Sequence, residues 1–373
     1  MTNMTTELRK AIQAYDLPGV LLKAERYGDG HINDTFCLTC RQEDGQLLHF
    51  MLQRLSRRAF PHPEEVMENF VRITGFLQKK ILEAGGDPAR ETLTLIRTRD
   101  GQAFYTDPRQ NVWRMTAFVE GTFSLSDPTP GLMEAAGHAF GRFGQLLRDF
   151  PAETLHETIP SFHHTELHLQ KLKTILREDP LGRAALARTE ADFILAREAD
   201  CRIITQARRD GLLPLRVTHN DTRLSNVLFD VQSGRGICIV DLDTTMPGLV
   251  IFDFGDAIRS AATLQQDKKK DPEAVHLDPD LYDGFTRGFL AQTADFLTKD
   301  EVDLLPWGAR IITLELAIRY LSDYLEGDHY FRSVLPQQNL LRCRRQLSLL
   351  KDMEAQFTAM QAIVQKYAAP SGA

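Results

Sequence analysis

The densest run of reactive side chains reads Thr218-His219-Asn220-Asp221-Thr222-Arg223-Leu224-Ser225-Asn226, followed by Ile237-Cys238-Ile239-Val240-Asp241-Leu242-Asp243. His219, Asp221 and Asn226 fall in the pattern His-x-Asp-x-x-x-x-Asn, the spacing of loops that transfer phosphoryl groups. Such a transfer asks little covalent chemistry of a protein. It needs one carboxylate to receive the acceptor hydroxyl's proton, and oxygen ligands that hold a divalent cation against the phosphates. Asp221 meets the first need and is the expected catalytic residue. Asn226, through its amide oxygen, and Asp241, at the end of the next apolar run, meet the second, because a short hairpin returns them to one edge. His219 is expected to brace the loop rather than react. Asp243 has two readings, a second cation ligand or an acceptor for a substrate hydroxyl, and both leave it in the pocket. The chain contains no Gly-x-x-x-x-Gly-Lys-Ser/Thr loop, which excludes that class of nucleotide site.

Three short strands, expected over 215–218, 227–229 and 237–240, must position these groups, and they interrupt a chain that is otherwise helical from about residue 131 onward. Helices are expected over 165–177, 187–209, 279–296, 299–326 and 337–367, where apolar residues recur every three or four positions. The earlier part reads differently. Runs at 21–27, 34–39, 47–54 and 113–119 are apolar or β-branched and separated by turn residues, with one helix over 64–84 whose face is Val66, Phe70, Ile73, Leu77 and Ile81. A polar connector with Pro128 and Pro130 follows. The expectation is an α+β protein of two lobes, a strand-rich one over 1–120 and a larger helical one over 121–373.

Composition bounds the function. With 373 residues, 43% hydrophobic and 25% charged, the chain can bury a core in about two domains. Its 51 acidic and 44 basic side chains leave a net charge of −7, so a nucleic-acid partner is not expected. No uncharged stretch approaches the ~18 residues of a membrane span, and the polar start, 1–10, has no apolar signal core, so the expectation is a cytoplasmic protein. Five scattered cysteines do not make a disulfide framework. Cys37 and Cys40 have CxxC spacing but would point to opposite faces of a strand, and His163, His164 and His168 are expected on a solvated helix face.

The central segment resembles the aminoglycoside phosphotransferase and choline kinase superfamily. Its fuller wording, His219-Asn220-Asp221-Thr222, Val240-Asp241-Leu242-Asp243-Thr244, Met246-Pro247-Gly248 and the run from Asp253 to Arg259, is similar to bacterial N-acetylhexosamine 1-kinases. So are the strings from Tyr27 to Asn33 and from Tyr320 to Asp328, so the likeness runs from about Tyr27 to about Leu350. The resemblance implies a two-lobed, protein-kinase-like fold, ATP as co-substrate, magnesium, and transfer of the γ-phosphoryl group to the anomeric hydroxyl of N-acetylglucosamine or N-acetylgalactosamine. It also implies site residues. Gly28, Asp29, Gly30 and Asn33 would lie along the nucleotide phosphates, His31 near the transferred phosphate or the sugar, and the main chain of Phe118 and Val119 against adenine. The third strand offers no lysine for the phosphates; Gln53 stands in its place, with Arg54 on the opposite face, and the sequence leaves open which faces the nucleotide. Glu68 is the candidate for that lysine's usual glutamate partner. Asp253, despite its Asp-Phe-Gly setting, would support the catalytic loop through backbone hydrogen bonds, while Arg319, Tyr324 and Tyr330 would touch the sugar. Sugar and ATP are the only partners expected. Two alternatives stay open: the same fold acting on an aminoglycoside, an amino alcohol or a plain hexose, and a binding module that has lost transfer.

Overall fold

Alternation along short strands builds the first part of the chain. In the computed structural model, which describes residues 5–28, 32–125, 127–264, 275–331 and 333–368, six strands form one antiparallel sheet. They are β1 (Val20–Arg26), β2 (Asp34–Arg41), β3 (Leu47–Arg54), β4 (Leu95–Ile96), β5 (Tyr105–Thr106) and β6 (Val112–Ala117), in the order β1-β2-β3-β6-β4 with β5 also on β6. Leu38, Phe50, Leu52, Trp113 and Met115 point to one face and bury against Leu8, Ala11 and Ile12 of α1 (Thr6–Gln13). That helix was not expected, because its 8 residues carry only one apolar turn. The opposite sheet face is left to His49, Gln53 and Arg114. It looks into the cleft.

α2 (Pro63–Glu83) carries the expected apolar face, but that face packs into the core of the helical part rather than under the sheet. Beyond a short turn, α3 (Pro88–Glu91), the helical part comprises α4 (Pro130–Leu147), α5 (Thr165–Glu178), α6 (Arg188–Leu195), α7 (Ile203–Arg209), α8 (Val250–Ala261), α9 (Pro279–Thr293), α10 (Lys299–Glu326), α11 (Gln338–Ala355) and α12 (Phe357–Ala368). The helix expected over 187–209 is two helices, and buried Cys201 continues the apolar stripe across the break between them, which is why the sequence reads as one. The one expected over 337–367 also breaks, at Gln356, whose side chain donates to Leu277 O at 3.2 Å and Asp352 at 2.7 Å.

Gly255 and Gly308 let α8 and α10 cross at close range: a Cβ on Gly255 would lie 2.5 Å from the Gly308 carbonyl. This contact seats α8 beneath the reactive segment. There β7 (Thr122–Phe123), β9 (Val227–Asp230) and β10 (Gly236–Ile239) form one small sheet, and β8 (Arg216–Thr218) pairs with β11 (Met246–Gly248), a strand the sequence reading left unassigned. The architecture is thus an antiparallel-sheet lobe on a helical lobe, as expected. All five cysteines are free, and among the described residues no helix is long and apolar enough to cross a membrane.

Candidate active site

The segment between β8 and β11 is locked by its own backbone. Thr218 pairs with Met246 in register, and Val227 with Ile239, so the loop bearing Asp221 and the turn bearing Asp241 leave the two sheets side by side. Asn220 and Asp241 both have left-handed backbones, φ 64° and 62°, which non-glycine residues seldom adopt outside constrained sites. Asn220 is held there by donation from its side chain to Thr218 O and Thr244 O, at 3.2 and 2.9 Å. Its own N–H and that of His219 donate to the two oxygens of Asp253, at 2.7 and 2.8 Å. His219 spans the gap between the sheets: Nε2 donates to Val240 O at 2.9 Å, while Nδ1 accepts from Asp221 N at 3.2 Å. Asp253 and His219 therefore lie behind the loop.

Asn226 Nδ2 donates to Asp221 O and to its carboxylate, at 2.8 and 3.1 Å, and the Arg223 guanidinium grips that carboxylate through Nε and Nη2, at 2.7 and 2.8 Å. Arg223 also lies 3.8 Å from Asp241. Asp221, Asn226 and Asp241 are thus brought together around one guanidinium, to which the sequence reading gave no role. Burial alone would raise the Asp221 carboxyl, but the Arg223 fork, with lesser help from His219 and Asn226, holds it below the usual range. Asp241 goes the other way. Desolvation first, then the carboxylates of Asp243 and Asp221, push it up to about 6. Two carboxylates with divided affinities and one amide oxygen are suited to share a proton transfer and a cation.

Across the cleft, strand alternation places Gln53 rather than Arg54 on the site's side. Arg54 pairs with Asp34 on the far face, near α1. Gln53 accepts from Arg114, and Arg114 reaches over to Asp243, a bond between the two lobes. The second Asp243 oxygen accepts from Asn33 Nδ2 at 2.5 Å. Both oxygens of Asp243 are therefore engaged by the first lobe. Glu68, in contrast, faces away and bonds His156 at 2.8 Å. Phe118 N–H donates to His49 O at 3.1 Å; among the described residues, the Phe118 carbonyl and the Val119 N–H take no hydrogen bond. Gly28 has φ 72° with open space where a side chain would stand. Asp29, Gly30 and His31 lie outside the described residues.

Toward the end of α10, Arg319 lies 5.0 to 5.6 Å from the ring centres of Phe162, Tyr330 and Phe331 and donates to the Tyr330 hydroxyl at 3.3 Å. Below it Glu315 is fully buried, accepting from His163 at 3.0 Å and Thr165 at 2.7 Å. His163 and His168 consequently turn inward, His168 to Phe162 O, instead of forming a solvated face. The His163 ring lies tilted against Phe252, the neighbour of Asp253, with the ring centres 5.0 Å apart, which ties this shelf to the loop. Tyr324 is not brought to the cleft. At 2% exposure it sits within the apolar cluster of α5, α6, α10 and α11, and has no surface to offer a ligand. Two further groups escaped sequence reading. Asp323 accepts from the N–H groups of His329, Tyr330 and Phe331, at 2.7 to 2.9 Å, and so holds the Tyr330 loop. Arg259 pairs with Asp256 at 2.9 Å close enough to Asp221 to feel its charge.

The model of the phosphotransferase enzyme family matches residues 23–294, well over half of the chain. The chain belongs to that family. Solved structures agree in fold over nearly full length. An aminoglycoside phosphotransferase from Alicyclobacillus acidocaldarius shares 13% identity at a TM-score of 0.64, with 96% of each chain covered. A microcompartment-associated aminopropanol kinase shares 15% at 0.58, covering 95% of this chain and 97% of its own. A choline kinase from Cryptosporidium parvum shares 10% at 0.55, with 93% of each covered. At such identities the likeness is one of fold, the two-lobed protein-kinase-like architecture of the family. These neighbours bear the names of different acceptors, so the acceptor has to be argued from this chain's own pocket.

Proposed function

We propose that this protein transfers the γ-phosphoryl group of ATP to the anomeric C1 hydroxyl of an N-acetylhexosamine, N-acetylglucosamine or N-acetylgalactosamine, releasing ADP and the sugar 1-phosphate. Nucleotide would be held mainly by 1–120 and sugar by 121–373. The convergence of Asp221, Asn226 and Asp241 supports the transfer. Asp221 orients the C1 hydroxyl and takes its proton as the new P–O bond forms; held ionised by Arg223, it suits this part at neutral pH. Adenine would meet the free Phe118 carbonyl and Val119 N–H.

The donors for a cation are hard oxygens. Among the described residues, neither the Asn226 amide oxygen nor the Asp241 carboxylate accepts a hydrogen bond, so the pair fits magnesium. Among those residues no three His, Cys, Asp or Glu side chains form a ready-made cage, the ordinary condition of a magnesium site completed by phosphate and water. Bound there, the ion would neutralise charge between the β- and γ-phosphates.

The acceptor reading rests on one observation. Arg319 already fills the aromatic cluster of Phe162, Tyr330 and Phe331, with Glu315 4.0 Å from it. Such rings, if vacant, would suit an ammonium acceptor; occupied by a guanidinium they repel one, and present instead fixed donors for hydroxyl and amide oxygens. A panel of N-acetylglucosamine, N-acetylgalactosamine, glucose, choline and an aminoglycoside, read by magnesium-dependent ADP release, tests this. Release with the two N-acetyl sugars and an anomeric phosphate by phosphorus NMR is expected. Release with choline or the aminoglycoside alone would sink the sugar assignment.

A further inference from the structure

The cleft face of β3 carries no lysine, yet a cation stands at that place. Arg114 is the cross-strand neighbour of Gln53 on β6 and is 1% exposed. Its Nε and Nη2 donate to Gln53 Oε1 at 2.9 and 2.8 Å, Nη1 donates to Asp243, and the guanidinium lies 4.6 Å over the Phe70 ring of α2. Burying a guanidinium costs several kcal/mol unless its partners are well aligned, and a buried ion pair is a poor device for stability alone. The charge is held two residues from Asp241, where a polyphosphate would arrive. Three of the five guanidinium hydrogens are used by the bonds above.

We propose that Arg114 is the phosphate-binding cation of the first lobe, supplied from β6 instead of β3. Gln53 acts as its holder: an amide oxygen in the lysine's place accepts two of its donors and aims the fork. Phosphate oxygens entering the cleft replace the Asp243 oxygen on Nη1 and break the bond between the lobes. The inference rests on the nucleotide half of the proposed function and is independent of the sugar.

Calorimetric titration of the wild type, Arg114→Lys and Arg114→Gln with ADP and with adenosine separates phosphate contact from folding. Arg114→Gln is expected to weaken ADP by roughly 10- to 100-fold and to leave adenosine unchanged, with Arg114→Lys losing less. Adding Gln53→Lys to Arg114→Gln is expected to return most of the lost ADP affinity; if it returns none, the proposal falls. Equal weakening of ADP and adenosine, or weakening of neither, marks Arg114 as a structural clip and overturns it. Should the Arg114 variants fail to fold by circular dichroism, a crystal structure of the wild type with ADP decides. An Arg114 nitrogen about 3 Å from a phosphate oxygen supports the assignment, and a guanidinium without phosphate contact ends it. A wild type that binds no ADP would instead overturn the nucleotide reading itself.

Discussion

The loop that carries Asp221 and the shelf that carries Arg319 are held by opposite means. In the first, main-chain groups of residues 218–246 bond one another, the Asn220 side-chain amide and the carboxylate of Asp253, and two residues with positive φ are kept in place. Such backbones cost roughly 1–3 kcal/mol each and persist only where surroundings over-determine them. On the shelf, a cation rests against three rings, and one carboxylate, Asp323, clips the loop that brings Tyr330. A rigid centre and an adjustable rim follow, which suits the roles proposed for them: groups that would meet the reacting atoms tolerate little displacement, whereas contacts to an acceptor could change without disturbing them.

Substitutions can break this contrast. Asp221→Asn, on the rigid side, is expected to lower turnover by about 10³-fold while ADP affinity, by calorimetry, stays near that of the wild type. Asp253→Ala strands two buried N–H groups and is expected to destabilise the fold by about 2–5 kcal/mol, read as a lower midpoint in urea, with activity lost in step. Its counterpart on the shelf should behave otherwise. If the shelf receives the proposed sugar acceptor, Asp323→Ala and Arg319→Ala are each expected to raise the KM for that acceptor about 10-fold with kcat changed far less; an equal fall in kcat would show that the shelf, too, sets the chemistry.

The smallest effect is one of pH. Because the folded Asp241 carboxyl is raised to about 6, the fold binds more protons than the unfolded chain between the ordinary carboxylate range and pH 6. Without a divalent cation, this group's contribution should make stability decline as pH rises through that window, and magnesium affinity should strengthen over the same interval, up to about ten-fold per unit below the pKa. Asp221, held low, contributes the opposite slope: its stabilisation is present above the usual carboxylate range and is lost as pH falls through its folded pKa. Thermal scans with and without magnesium would expose both, the Asp241 slope between pH 4 and 6 and the Asp221 slope only where the scan is carried below pH 4.

Much of the site was legible because its members are close in sequence. His219, Asp221, Asn226 and Asp241 lie within one hairpin-forming stretch, so residue type and spacing nearly sufficed to place them. Gln53 and Arg54 show the limit: alternation says that they part, but only the position of α1 decides which side is the cleft. Tyr324 failed for a related reason. α10 is buried on almost every side, so its apolar pattern has no direction from which to tell lining from core.

Local order was thus written in the chain itself: the two periodicities, the turn residues, the reactive run and the missing lysine all act over a few residues, where backbone geometry leaves few choices. What only the tertiary structure decided was pairing across distance. Arg114 meets Asp243 over 129 positions and His163 meets Glu315 over 152, and no spacing rule links such partners. They meet because a buried charge must find a counter-charge or a hydrogen-bond partner, and the packing of sheet on helices determines which one is within reach.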